Sequence, residues 1–565
     1  MVQRHSDAER KISRRTFLKV CGALPLAAAG FSGCGENAQE SAAPEPLQLV
    51  FFNMDGISDS WTDPVAQKIT EATGISLKTQ YPSRGISESI DLMLTDGEYP
   101  DLIFAKGEAN KLVQAGVLLD MEPLIEEYGP NIKTLYGTDY EKLRYSEEQP
   151  YIYQLCSNPV NQEIFLTSGS AQLQWAVLKE NDYQIPYTLA QYEAQIKDYL
   201  AAHPQIGGKP TIGISICCTD WRWYIMLSNP SAFIAEGAPD NGQWLIDEST
   251  GRATYLHAGP NQKEYFAWLN RMYREGVLDP EFATQTFDDY KQKIISGRVL
   301  GLLDANWNYA EAQKELFRNG MTEHSYAGLP VTMHKGVPCQ SLYNIGLSPG
   351  WGVGITTACK HPERAMQFLN WMCSEEAQVL LNWGIEGVNY TVDDTGKRVR
   401  TQEEIDRSQQ DVDYQTVTGV GFHAYPFPRY GTGMYDSTGN SYQVCERESV
   451  IAAYNEEECA ACKAWGVELL RDIFPSSSSF PPPEHSAAWS LPIPQELSVL
   501  CAQLNAVAWQ GLIDCILAPE AEFAACWEQF QQKLLDAGRL EAERQMTELL
   551  QNQKRFWKKL EQKNG

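Results

Sequence analysis

The chain reads as short apolar runs alternating with amphipathic stretches. LQLVFFN (47–53) is an apolar run of strand length. Pro64 to Thr73 then carries apolar residues at helical spacing and stops at Gly74, a natural helix terminator. ISLKTQY (75–81) alternates with the period of a strand, and YPDLIFA (99–105), which follows the stretch Asp91 to Thr95, reads as a buried one. Ala109 to Ala115, Leu189 to Ala202, Lys263 to Glu275, Tyr290 to Ile295 and Pro362 to Asn382 are predicted helices. Thr211 to Cys217 and Val299 to Leu303 are predicted strands. Strand–helix–strand repetition predicts α/β sheets with crossover helices. From Glu456 onward the pattern is mainly helical, broken by SSSSFPPPEHSAAWSLPIP (476–494), whose prolines and serines exclude regular structure.

The first residues differ from this body. Arg14 and Arg15 precede Phe17-Leu18-Lys19, and a mostly apolar segment follows from Val20 to Phe31. A helix needs roughly 20 apolar residues to span a bilayer, so this segment is too short. It is laid out as an export signal, and the arginine pair resembles a twin-arginine one. Phe31-Ser32-Gly33-Cys34 resembles a lipobox, which makes residues 1–33 the signal, Cys34 the lipidated residue and 34–46 a flexible tether. The alternative is a cut elsewhere, with Cys34 an ordinary thiol. No other segment reads as long and apolar enough to cross a membrane. The expected location is the extracellular face of the membrane, attached through lipid alone.

Charge narrows the partners. The whole chain carries −27, and the signal removes Arg4, Arg10, Lys11, Arg14, Arg15 and Lys19 against Asp7 and Glu9, leaving a still more acidic body. Phosphate backbones and anionic lipid would repel it, which excludes nucleic acid as a partner. The 14 cysteines are too sparse for a disulfide scaffold, although some pairing among them is expected. Cys459-Ala-Ala-Cys462 lies in a helical run, Asn455 to Arg471, rather than after a strand, and no histidine completes a zinc site. No metal, cofactor or catalytic residue is expected: the chain has no H-E-x-x-H or Walker loop. An exported glycosidase is the enzyme alternative, since carboxylates are abundant, but none sits in a recognisable motif.

Several stretches together resemble extracellular solute-binding proteins of family 1. They are WTDPVAQKITEATGISLK (61–78), EYPDLIF (98–104), GVLLDMEPLI (116–125), YREGVLDPEF (273–282), SGRVLGLLDANW (296–307) and GWGVGIT…HPERAMQFLNWM (350–372). EEAQVLLNWGIEGVNYTVDDTG (375–396) and the tail 513–549 are similar to the long lipoprotein branch of Gram-positive bacteria. QWAVLKENDYQIP (174–186) departs from that branch, which has a basic-x-Asp-Trp-Leu stretch there. The resemblance implies an α/β, two-lobed periplasmic-binding-protein-like (type II) fold with hinge strands and a largely helical C-terminal extension. Lobe 1 is expected from 47–156 and 330–395, lobe 2 from 157–329 and 396–565. It also implies a monomer that captures a small molecule, an oligosaccharide, between its lobes and hands it to the membrane subunits of an ABC permease. A peptide or other nutrient, or a sensory role beside a receptor kinase, is the alternative.

A sugar is held by aromatic platforms and by polar groups around its hydroxyls. The expected platforms are Trp61, Trp175, Trp221, Trp223, Trp307 and Trp351, most of them in loops after strands. Asp55, Asp304, Asn306, Glu386, Asn389 and Tyr430 are the expected polar contacts, and Tyr425 and Arg429 in HAYPFPRYG (423–431) either close over the cleft or order a loop. For each tryptophan the alternative is core packing, and for Asp55 and Asp59 it is a turn or a helix cap.

Overall fold

The computed structural model describes residues 45–56, 59–82, 86–157, 163–167, 169–343, 346–480 and 483–564. Arg14, Arg15, Cys34 and nearly all of the tether lie outside them.

Two sheets organise the chain. The strands are β1 (Leu47–Asn53), β2 (Ile75–Gln80), β3 (Leu102–Phe104), β4 (Leu155–Cys156), β5 (Gly169–Gln174), β6 (Ile212–Ser215), β7 (Val299–Ala305), β8 (Tyr326–Leu329) and β9 (Gly352–Ile355). The first sheet has the order β2-β1-β3-β9-β4 and the second β8-β5-β7-β6. β1 runs parallel to β2 and β3, with Leu47 opposite Ile75 and Phe51 opposite Leu102, as crossover helices require. β7 pairs parallel with β6 and antiparallel with β5. β9 returns to the first sheet after the chain has built the second, so the fold is two lobes made by a chain that crosses between them.

Each lobe has its own core. The first holds Leu49, Phe51, Ile69, Phe104, Val353 and Phe368 among others, and the second Leu173, Trp175, Tyr192, Phe266, Leu302 and Leu512. The expected boundaries put everything after 395 in lobe 2, yet Tyr414, Val420, Ala424 and Phe427 pack into the first core. Phe427 lies against Phe51 (5.3 Å) and Phe368 (5.7 Å), and this aromatic contact draws the 414–427 segment to lobe 1.

Local signals placed most elements. Helix Pro64–Thr73 has Pro at its first turn, Asp63 capping Ala66 N–H, and Gly74 in the left-handed conformation at φ 70°. Thr188 and Gln191 form a capping box on helix Leu189–Ala202. The single helix expected over 362–382 is two, Pro362–Met372 and Glu375–Trp383, because Ser374 caps the second by accepting from Ala377 N–H. The run from Asn455 ends as a helix at Trp465, where Gly466 takes φ 69°. Helix Gln495–Leu517 corrects another expectation, since it is long and apolar enough to cross a membrane by length and composition. Here Leu497, Leu504, Leu512 and Ile516 bury its face in the second core.

The crossings lie side by side. Ser157 N–H donates to Trp351 C=O at 2.9 Å, tying the first return path to the second. The loop 476–494 approaches from lobe 2, and a Cβ on Gly350 would sit 1.8 Å from Ser490 C=O, so only glycine permits this contact. The last helix, Arg539–Asn564, lies on lobe 2 through Thr547, which accepts from Ala253 N–H, while Lys142 and Lys559 reach across from and to lobe 1. All twelve described cysteines are free thiols, with Cys515 and Cys526 Sγ 3.3 Å apart, so the expected pairing among them does not occur here. Burial of most of these side chains leaves them packed as small apolar groups.

Candidate functional site

The carboxyl ends of the two sheets open onto one cleft. Gly107, Asn110 and Lys111, which follow β3, and Tyr224, which follows β6, line a single cavity of about 240 Å³ with Trp489 and Asn505. Loops after strands carry side chains held by the sheet yet free of its ladder, which is where binding groups accumulate.

The lobe 1 wall is charged and conformationally strained. Asp55 ends the turn after β1 and forms an ion pair with Lys106, which follows β3. Asp55 also accepts from Tyr425 OH at 2.8 Å. Lys106 Nζ sits 4.7 Å above the Trp351 ring, and Trp489 meets that ring edge-on at 4.4 Å. The Trp351 Nε1–H is buried without an acceptor among the described residues. Two of the non-glycine residues with positive φ stand on this edge, Trp61 at 53° and Lys106 at 48°. Such conformations cost free energy in bulky residues and collect at functional edges.

Behind this wall lies a buried latch. Asp63 accepts from His423 Nε2 at 2.7 Å and caps the helix through Ala66 N–H, while Asp59 accepts from Trp61 N–H at 2.7 Å. The ring of His423 packs on Trp61 at 4.7 Å. Burial pushes the Asp63 carboxyl up, but the His423 hydrogen bond and charge outweigh it and hold Asp63 below the usual carboxylate range. Asp59, Asp63 and His423 offer ligand atoms within 4.8 Å of one another, a set able to hold a metal ion. The direct His423–Asp63 bond and the two caps already satisfy them, so the cluster serves to fasten the 419–431 segment to lobe 1.

The lobe 2 wall is aromatic. Trp221, after β6, and Trp307, after β7, lie nearly parallel (13°) with centroids 6.0 Å apart. Of the 15 tryptophans these alone are exposed, at 54% and 55%. Arg222 pairs with Asp220 at 2.5 Å and stacks its guanidinium 4.8 Å from Trp221 and 3.7 Å from Phe287. Beneath Trp307, buried Asp304 accepts from Tyr290 OH (2.9 Å) and Asn308 Nδ2 (2.8 Å). Burial pushes its carboxyl up to about 7 against the pull of both donors. Asn306 stands beside it, half-buried in the first turn of helix Asn306–Arg318.

The structure thus groups Asp55 with Trp351 around Lys106 in lobe 1, and Trp221 with Trp307 in lobe 2, with buried Asp304 beneath Trp307 and Asn306 beside it. It withholds several expected contacts. Trp175 is fully buried in the second core, and Trp223 is buried against Trp509, with rings 5.8 Å apart. Trp61 is spent on the first core and on Thr70, to which its Nε1–H donates at 3.0 Å. Asn389 is buried, accepting from Ile385 N–H and donating to Glu404, while Glu386 stands exposed in the turn that Asn389 closes. Tyr430 stacks on Tyr442 at 4.1 Å and orders its own loop. Lys106, Arg222, Phe287 and Trp489 were not anticipated. For Trp489 the signal was present: a tryptophan inside a proline- and serine-rich loop has no core of its own to enter.

A family model described as bacterial extracellular solute-binding protein matches residues 65–393. Lipoprotein LipO of Bacillus subtilis (strain 168) is 22% identical over 394 residues, covering 66% of this chain and 73% of LipO. The fructooligosaccharide ABC transporter substrate-binding protein FusA of Streptococcus pneumoniae is 22% identical over 310 residues, 49% of this chain and 56% of FusA. In three dimensions the crystal structure of alginate-binding protein AlgQ2 without calcium ion superposes with a TM-score of 0.64 at 17% identity, covering 90% of this chain and 98% of that one.

Proposed function

Since the chain belongs to the bacterial extracellular solute-binding proteins, we propose that it captures an oligosaccharide in the inter-lobe cleft and delivers it to an ABC importer. In this reading Arg14 and Arg15 direct export, and Cys34 carries the lipid that holds a monomeric body at the outer membrane face. The observation that carries the ligand class is the exposed pair Trp221–Trp307. Leaving two large aromatic faces exposed to water is unfavourable unless a partner covers them, and the apolar C–H face of a sugar ring fits a flat indole. Arg222 and Asn306 stand beside the pair to meet hydroxyls. The names of FusA and AlgQ2, which bind fructooligosaccharide and alginate, support the same class.

No proton-transfer step is assigned to the site. Asp304 is turned inward to Tyr290 and Asn308, and Asp55 is occupied by Lys106 and Tyr425. Binding across two lobes favours the closed form only through contacts made to both walls at once, and that form is what a permease would read.

The test is thermal unfolding of the purified chain with oligosaccharides, simple sugars and short peptides. A ligand bound only by the folded state adds about 2.7 kcal/mol at a hundredfold excess over Kd. A shift with an oligosaccharide recovered intact supports capture. Shifts with peptides alone replace the ligand class, and cleavage of any compound overturns the binding role.

A further inference from the structure

Arg429 follows the 423–427 segment that packs into the first core, at the same edge as Tyr425, Asp55 and Lys106. Its guanidinium stacks on the Tyr425 ring at 5.6 Å. No carboxylate lies within ion-pair distance of it and no acceptor takes a hydrogen bond from its side chain among the described residues, and its Nε–H is sealed from solvent. Arg400 stands nearby. Its side chain makes one long contact, 3.5 Å to Ser408 Oγ, and has no carboxylate at ion-pair distance among the described residues. Both guanidiniums act on the same thiol, Cys445, which burial pushes up to about 11 while the two charges pull it down.

The isolation of Arg429 is not for want of acids. The chain has 73 carboxylates against 46 basic residues, and its other cleft cations, Lys106 and Arg222, are both neutralised by aspartates. A buried donor on a charged group left without a partner is costly, so sequences normally supply one. The place is also bounded on the far side. Helix Gln402–Gln410, which begins two residues after Arg400, packs on helix Asn306–Arg318, the helix that begins under Trp307, and Lys314 of that helix donates to Asp411 C=O at 2.9 Å. Arg400, on which the Glu404 carboxylate acts, therefore precedes the segment that reaches the lobe 2 helix carrying Trp307, and Arg429 stands at the Tyr425 edge of lobe 1.

Resting on the reading of the cleft as a saccharide site, we infer that Arg429, assisted by Arg400, takes the carboxylate of an acidic sugar residue, so that the ligand is a carboxylated oligosaccharide rather than a neutral one. A planar guanidinium with unspent N–H donors matches a carboxylate through two parallel hydrogen bonds, and the ligand supplies the counter-charge the fold withholds.

The experiment uses the full chain, Arg429→Met and Arg429→Lys, with three probes: an oligogalacturonate, the same oligosaccharide with its carboxylates methyl-esterified, and inorganic sulfate. Without ligand, Arg429→Met is expected to melt about 2 °C higher than the wild type, because an unpaired cation has gone. Sulfate should raise the wild-type midpoint more than that of Arg429→Met. The acid should bind about 10–100-fold more tightly than its ester, a margin lost in Arg429→Met and partly kept in Arg429→Lys. An Arg429→Met midpoint below wild type with an unchanged sulfate response would overturn the inference by making Arg429 a structural group. Equal binding of acid and ester would overturn it too, while leaving the saccharide reading intact. Sulfate dependence on Arg429 without binding of either sugar would keep the anion site and remove the saccharide reading.

Discussion

The two walls of the cleft are built on opposite principles. Lobe 1 presents charge fixed by strain and by a buried hydrogen bond: Asp55 with Lys106 on the surface, Asp63 with His423 behind. Lobe 2 presents bare indoles, Trp221 and Trp307, over a buried acid. Ionic contacts discriminate, because a wrong ligand leaves charge unmet. Aromatic contacts hold many ligands alike, since every ring has an apolar face. Under the proposed function the contrast gives affinity to lobe 2 and selectivity to lobe 1, and each assignment can be broken separately.

The largest effect is expected from the acid under the platform. Asp304 has its carboxyl raised from 3.8 to about 7. The folded state therefore holds a proton that the unfolded chain releases, so stability is full below pH 3.8, falls as pH rises to about 7, and is level beyond. Asp304→Asn keeps an acceptor for Asn308 and carries no such proton. Its stability relative to wild type should rise by about 4 kcal/mol between pH 4 and pH 8, seen in urea midpoints. Parallel curves would mean Asp304 ionises freely and the platform rests on no strained acid.

Next comes the latch of lobe 1. His423→Ala strips the partner from a buried carboxylate and should cost about 3 kcal/mol at neutral pH. Because Asp63 is held below its ordinary 3.8, its stabilisation exists above that value and is lost as pH falls through the folded pKa. The gap between His423→Ala and wild type should therefore narrow below pH 4. A constant gap would assign the loss to packing against Trp61 alone.

The platform itself follows. Trp221→Ala with Trp307→Ala should weaken sugar binding about 100-fold, equivalent to about 2.7 kcal/mol, with the melting midpoint nearly unmoved, since both rings are more than half exposed. Titration calorimetry and a melt read the two quantities. A collapse in stability would make the pair structural.

The smallest effect should separate the walls by salt. Raising NaCl from about 0.05 to about 0.5 M shortens the screening length several-fold. Lys106→Met should lose affinity by a few fold at low salt and match wild type more closely at high salt, whereas the cost of the tryptophan variants should not change with salt. Equal salt dependence in both would erase the division of labour.

The fold was legible where local rules and burial agree. Asp63, Pro64 and Gly74 announced the first helix and its ends, and the LQLVFFN and YPDLIFA runs announced central strands. The 362–382 region misled because its apolar spacing continues through Ser374, and a cap interrupts a helix without disturbing that spacing. The site was half legible. A tryptophan after a strand is a fair candidate, but Trp221 and Trp223 are two residues apart, and the turn sends one into solvent and the other against Trp509. Periodicity cannot tell them apart, because alternate residues of a turn have no fixed face.

By itself, then, the sequence determined the alternation of strand and helix, the family and the net acidity of the chain. These are properties of composition and of neighbours within a few residues. Only the tertiary structure decided which indoles stay bare, that the 414–427 segment joins lobe 1, that Lys106 meets Asp55 and that Arg429 meets no acid among the described residues. Each of those depends on groups far apart in the chain, where burial and the pairing of charges are set by the packing of whole elements, as in the bond from Tyr425 to Asp55 with a separation of 370 residues.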